Sequence, residues 1–129
     1  MDNNFFIGRH YLSGVEYTTT KDEYGFQYEA VKFCLDNNTY IVSKDPDDGW
    51  RSRCREIIKT NVPCKNTFSP QEVCGIYEDN TDIIRFIDVN NGKMVFRFGT
   101  DYSDSYYPCC VMEWLPENLS VNESVKLED

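Results

Sequence analysis

The chain has 129 residues, 22 of them acidic and 13 basic, which gives a formal net charge of −9 at pH 7. This charge excludes broad affinity for nucleic acid or anionic membranes, because neutralising phosphates requires a surplus of lysine and arginine. Aromatic residues make up 15% of the chain, which excludes the composition of a disordered protein. We therefore expect one folded domain, residues 1–116, followed by a polar and flexible tail, residues 117–129.

The N-terminal stretch and the cysteines together indicate a reducing compartment. Asp2 stands where a secretory leader would carry positive charge, and no apolar run is long enough to cross a bilayer. The sequence thus predicts a cytoplasmic protein without membrane contact, in which cysteines are reduced and act as small core residues. None of them forms a Cys-x-x-Cys metal-binding pair. The six are Cys34, Cys54, Cys64, Cys74, Cys109 and Cys110.

The first half of the chain predicts three strands. Residues 12–17 form the first, and residues 28–35 carry apolar side chains at both odd and even positions, which is typical of a central strand. Asp36 and the two asparagines after it tolerate positive φ and so favour a hairpin turn. Residues 39–43 then return as a β-branched strand.

The middle of the chain is harder to assign. The segment 45–49, Asp-Pro-Asp-Asp-Gly, is the clearest chain break, and a turn is favoured over a calcium loop because proline interrupts the ligand pattern. A short strand or irregular structure is expected near residues 54–58. Residues 61–70 contain two prolines and are predicted to be a loop, and residues 72–77 to be a short strand.

The last third predicts a hairpin and one further strand. Two β-rich runs, residues 82–88 and 93–98, flank Asn91 and Gly92, which suit a tight antiparallel turn. A final strand follows at residues 109–115. About seven strands with almost no helical pattern predict a mainly-β single domain, either an antiparallel sandwich or a small barrel.

No residue pattern in the chain is typical of an enzyme. His10 is the only histidine, and nothing in the sequence pairs it with a cysteine that it could activate. Serine-nucleophile, zinc-protease and phosphate-loop motifs are absent. We therefore predict no catalytic residue, no metal site and no cofactor.

Acidic and aromatic residues are concentrated in two connections between predicted strands. Tyrosine and serine mixed with short acids form an adaptable contact surface. The sequence therefore predicts a binding protein that occludes a macromolecular partner, most simply a protein with a basic surface. A compact acidic domain without enzyme motifs is typical of accessory proteins of bacteriophages and mobile elements, which suggests an inhibitor of a host nuclease or defence complex. The expected contact residues are Asp101, Tyr102, Asp104, Tyr106, Tyr107, Asp47, Asp48 and Trp50.

Two alternatives remain open. Asp47 and Asp48 could meet Asp101 and Asp104 in space and form the site of a metal-dependent or small-ligand-binding enzyme. A weaker alternative is nucleic-acid or anion binding by three arginines that recur at every second position and would share one face of a strand. Their pairing with the neighbouring aspartates is the favoured interpretation. These arginines are Arg51, Arg53 and Arg55.

Overall fold

The computed structural model describes residues 3–21, 23–45, 53–78, 82–103 and 108–118. Within these ranges the chain forms eight strands, two short 3-10 helices and no α-helix. The strands are β1 (Gly8–Lys21), β2 (Gln27–Leu35), β3 (Asn38–Ser43), β4 (Ile58–Thr60), β5 (Thr67–Tyr77), β6 (Ile84–Asp88), β7 (Met94–Asp101) and β8 (Cys109–Trp114); the 3-10 helices are η1 (Asn3–Phe6) and η2 (Pro116–Asn118).

All eight strands belong to one antiparallel sheet in the order β4-β3-β2-β1-β5-β6-β7-β8. The predicted mainly-β, single-domain antiparallel fold is confirmed, and the sheet is not closed into a barrel. The long strand β1 joins the two halves of the sheet, because its first residues pair with β5 and its later residues pair with β2. Near residues 54–58 the sequence predicts a short strand or irregular structure; residues 53–57 are irregular apart from a bridge at Cys54, and β4 begins at Ile58.

The predicted loop at residues 61–70 is wrong at its end, because β5 already begins at Thr67. The β1–β5 register shifts between Leu12 and Gly14, which pair with Gln71 and Thr67 respectively. Three residues of β5 thus lie opposite a single residue of β1, and Pro70 belongs to this bulge. A bulge accommodates proline because the backbone N–H that proline lacks is not needed for the ladder there.

Two of the predicted turns form as hairpins. Asp36 and Asn37 have φ values of 54° and 68° and connect β2 to β3, as the sequence predicts. In the β6–β7 turn only Gly92 has positive φ, whereas a two-residue turn would also require it at Asn91. The turn is longer for that reason, and the Gly92 N–H donates to the carbonyl oxygen of Asp88 at 2.8 Å.

The core is a block of aromatic rings enclosed by the curled sheet. The Phe33 ring of β2 lies 4.9 Å from the Phe98 ring and 5.2 Å from the Phe96 ring of β7, measured between centroids. β2 and β7 are not neighbours in the sheet, so these contacts require its two halves to fold towards each other. Phe6 of η1 fills the interior from one end, with its ring 5.2 Å from that of Tyr40.

The side chain of Tyr17 in β1 contacts β8, the strand at one edge of the sheet. The Trp114 N–H donates to the hydroxyl oxygen of Tyr17 at 2.8 Å, and this hydroxyl lies 3.4 Å from the carbonyl oxygen of Met112. Both backbone groups belong to β8, the edge strand after β7. The Tyr17 hydroxyl therefore pairs with groups that an edge strand otherwise leaves exposed.

The expectation of six reduced cysteines is wrong for two of them. Cys54 and Cys110 form a disulfide with a Cα–Cα distance of 4.7 Å. They are 56 residues apart, and only the curl of the sheet brings them together, so their spacing gave no indication of the bond. Cys64 is buried, as expected of a core thiol, and the other three cysteines are half-buried.

Replacing Phe33 by alanine is expected to lower the free energy of unfolding by about 3–5 kcal/mol, because it empties the contact between the two halves of the sheet. Denaturant unfolding followed by fluorescence measures the change. Phe26→Ala is the matched control, since this ring is 65% exposed and its removal should cost less than about 0.5 kcal/mol. Equal losses in the two variants would contradict a core centred on Phe33.

Candidate functional site

Two of the chain connections leave the sheet at the same end. Ala30 of β2 pairs with Thr18 of β1 on one side and with Ser43 of β3 on the other. The β1–β2 turn, residues 22–26, and the β3–β4 connection, residues 44–57, therefore both extend beyond this row of paired residues.

Two more connections meet the 44–57 connection there through hydrogen bonds to Thr100, near the end of β7. The Asp82 N–H, in the β5–β6 connection 78–83, donates to the carbonyl oxygen of Thr100 at 3.0 Å. The Cys54 N–H donates to the Thr100 side-chain oxygen at 3.2 Å. Thr100 also immediately precedes the β7–β8 connection. We call the end formed by these four connections the loop end.

The loop end is acidic and aromatic in sequence. Six aromatic residues belong to its connections: Tyr24, Phe26, Trp50, Tyr102, Tyr106 and Tyr107. Half of the 22 acidic residues lie in the same connections or at the last position of β7: Asp22, Glu23, Asp45, Asp47, Asp48, Glu56, Glu78, Asp79, Asp82, Asp101 and Asp104. The 36–37 and 89–93 connections at the opposite end contain one aspartate, Asp36, and one lysine, and Asp88 stands at the last position of β6 before the second of them.

The described part of the loop end contains two adjoining depressions, of about 190 Å³ and about 360 Å³. Cys54, Arg55, Glu56 and Tyr102 border both of them. Asp45 borders the larger one, and its N–H donates to the Arg53 carbonyl oxygen at 2.7 Å. The base of the 44–57 connection and the start of the 102–108 connection therefore share one surface.

This geometry brings together the bases of the two predicted contact segments. Tyr102 is 41% exposed beside the depressions. Asp101 is half-buried, and one of its carboxylate oxygens accepts the Ser103 N–H at 2.8 Å. The remaining predicted residues lie outside the described residues: Asp47, Asp48, Trp50, Arg51, Asp104, Tyr106 and Tyr107.

Arg53 and Arg55 are both exposed and border the same depression, although they do not lie on a strand. Neither forms an ion pair with any residue that the structure describes. Pairing of these two arginines with Asp45 is therefore not found.

Tyr24 and Phe26 are not among the contact residues predicted from the sequence. They are 78% and 65% exposed and lie on either side of Gly25, which has a φ of 88°. An aromatic-Gly-aromatic segment between two strands was the available signal, because a turn glycine with positive φ places its neighbours at the tip of a hairpin. Both rings belong to the loop end.

His10 lies at the other end of the sheet. Its Nδ1 is 2.5 Å from a carboxylate oxygen of Asp36, whose second oxygen accepts the Tyr11 N–H at 2.9 Å. The buried Nε2 makes no hydrogen bond to a described residue. Burial, together with the nearby Glu16 carboxylate, raises the pKa of the Cys64 thiol to about 11, so this cysteine is no nucleophile at neutral pH.

The described ranges hold no cluster of three or more histidine, cysteine or acidic side chains placed to bind a metal ion. They also contain no helix that is long and apolar enough to cross a membrane.

Comparison with known proteins gives no match: no protein-family model, no curated protein and no solved structure is significantly similar to this chain.

Replacing Thr100 by valine is expected to lower the free energy of unfolding by about 1–3 kcal/mol, because the Cys54 N–H loses its acceptor. Chemical unfolding measures this loss. Thr19→Val is the matched control, since Thr19 is exposed on β1 and its replacement should change stability by less than about 0.5 kcal/mol. A Thr100 variant as stable as the control would show that this hydrogen bond does not hold the loop end together.

Proposed function

We propose that this chain is a small acidic binding protein that occludes a macromolecular partner with a basic surface, and that the loop end makes the contact. The observation that carries the proposal is the convergence of four connections, which hold half of the acidic residues, at one end of the sheet. No catalytic step is part of the proposal.

The physical form of the loop end supports this function. Binding residues are commonly placed on connections that a rigid sheet positions, and here the described bases of the connections are tied to β7 and β8. Tyrosine offers contact area at low entropic cost, and its hydroxyl group forms hydrogen bonds. Clustered carboxylates attract a basic partner and speed its association.

The most concrete version is an inhibitor of a nucleic-acid-binding protein of the host cell, such as a nuclease or a defence complex. Carboxylates spread over one end of a compact domain can imitate the phosphates that fill a basic groove. An origin in a bacteriophage or mobile element belongs to this version of the proposal, and so does a cytoplasmic location, although reducing conditions there oppose the Cys54–Cys110 disulfide.

A second candidate is anion or nucleic-acid binding by Arg53 and Arg55. The observation in its favour is that both arginines are exposed on one depression without an ion pair to a described residue. The excess of acidic residues in the neighbouring sequence opposes binding of a long polyanion. The first candidate function is therefore better supported than this one.

Simultaneous alanine substitution of Tyr102, Tyr106 and Tyr107 is expected to weaken partner binding by about 100-fold, because aromatic anchors dominate interface energies. The partner is first isolated by crosslinking in the native host, and its affinity for each variant is then measured by titration calorimetry. Tyr11→Ala is the control, because Tyr11 is 55% exposed but lies beside the 36–37 turn at the opposite end.

The melting temperature of the triple variant should stay close to that of the wild type. If the triple variant binds the partner as tightly as the wild type does, the three tyrosines are not part of the contact. Failure of the wild-type protein to retain any partner in its native host would refute the binding function itself.

The two candidate functions differ in their response to salt. Arginine-mediated binding predicts measurable affinity for an oligonucleotide at low salt and a steep fall of this affinity as salt is added. In the double variant Arg53→Ala, Arg55→Ala, the logarithm of the affinity should fall less steeply with the logarithm of the salt concentration. The leading proposal predicts negligible binding at every salt concentration. Fluorescence anisotropy with a labelled DNA and a labelled RNA decides between them.

A further inference from the structure

The Cys54–Cys110 disulfide joins two parts of the sheet that are far apart in strand order. Lys44, which follows β3, forms an antiparallel bridge with Cys54, whereas Cys110 belongs to β8 at the far edge. One covalent bond thus connects the base of the 44–57 connection to the strand that follows the 102–108 connection. These are the two connections in which the predicted contact residues lie.

Between the residues that the structure describes, few hydrogen bonds tie the same two parts together. The Cys54 N–H donates to the Thr100 side chain at 3.2 Å. The Cys54 sulfur lies 3.0 Å from the Gly99 carbonyl oxygen, but a disulfide sulfur carries no proton to donate. Ile57 is buried in the core and holds the chain three residues further on. The disulfide is therefore the main tie between Cys54 and the β7–β8 side.

A reductant can reach this bond. Both cysteines are half-buried rather than buried, and Cys54 borders both depressions of the loop end. Accessible disulfides exchange readily with thiolates, whereas fully buried ones are protected.

We infer that the disulfide is a reducible clasp that holds the loop end in its binding form. A small dithiol attacks one sulfur through its thiolate, forms a mixed disulfide and releases the other cysteine. Its second thiol then displaces the first cysteine, so the reductant is oxidised by two electrons to its own disulfide, and Cys54 and Cys110 each end as a protonated thiol. Reduction separates the bases of the two connections while the sheet remains folded.

The inference rests on the proposed function only for its effect on the partner; the opening of the loop end is measurable on the protein alone. Amide hydrogen exchange at Cys54 reports it, because this N–H donates across the two parts to the Thr100 side chain. Addition of a dithiol should speed exchange at this amide about tenfold or more, while the central amides of β2 and the Arg55 amide, which bonds to Ser43 on its own side, keep their protection.

Two cysteine variants distinguish the effect of losing the Cys54–Cys110 disulfide from other effects of the reductant. Cys110→Ser is expected to show the fast exchange without any reductant. Cys109→Ser is the matched control, because it changes the adjacent half-buried thiol and leaves the disulfide in place. Peptide mass mapping of protein purified without reductant should find Cys54 linked to Cys110.

Three results would overturn the inference: both cysteines found as free thiols in that protein, wild-type exchange in Cys110→Ser, or loss of protection throughout β2 on reduction. The last result would make the disulfide a requirement for the whole fold and not a clasp of one end.

The effect on binding is tested separately. The affinity for the partner isolated by crosslinking should fall at least about tenfold on reduction, in line with loss of a pre-organised contact surface. Equal affinity in the two states would refute control of binding by the clasp. Absence of any partner in either state would instead refute the proposed function, and the exchange experiment would still decide whether the loop end opens.

Discussion

The contact of Phe33 with Phe96 and Phe98 is the constraint on which the other features of this structure depend. An open eight-stranded sheet has no second layer to cover its apolar face, so it must bury that face against itself. The long strand β1 makes this feasible because it pairs with β5 along its first part and with β2 along its later part. The bulge beside Gly14 lies where the two pairings meet and allows the strand to bend. The aromatic rings then fill the space between the two halves.

The curl that buries these rings also assembles the loop end. β3 and β7 lie five positions apart in strand order, yet Cys54, which forms a bridge with Lys44 at the end of β3, bonds to Thr100 of β7 and to Cys110 of β8. Connections that are remote in the flat sheet become neighbours in space. The aromatic core and the candidate site are thus linked by geometry, and a change that opened the curl would separate the bases of the contact segments.

The sequence predicts the local features of this protein better than its long-range ones. Alternating apolar residues and the Asp36-Asn37 turn identify the β2–β3 hairpin, because periodicity and turn chemistry act between near neighbours. The start of β5 before Pro70 is missed because a bulge, visible only in the pairing with β1, accommodates the proline. The disulfide is missed because its cysteines meet only through the curl. The site prediction contains the two acidic segments but could not state that their bases adjoin, and it overlooks Tyr24 and Phe26.

The distribution of charge makes a purely structural explanation of the loop end unsatisfactory. Like charges in neighbouring connections repel one another and oppose folding. The arginines in the sequence of the 44–57 connection offset part of this charge, and Glu78 is paired with Arg97 and Arg85. The opposite end shows that the same sheet can be closed by short turns with few charges. Repulsion of this kind also makes the ties at the loop end more important, since Cys54 holds two acidic connections together against it. A partner of opposite charge would relieve the repulsion on binding, and this gain in free energy exists only if the loop end faces such a partner.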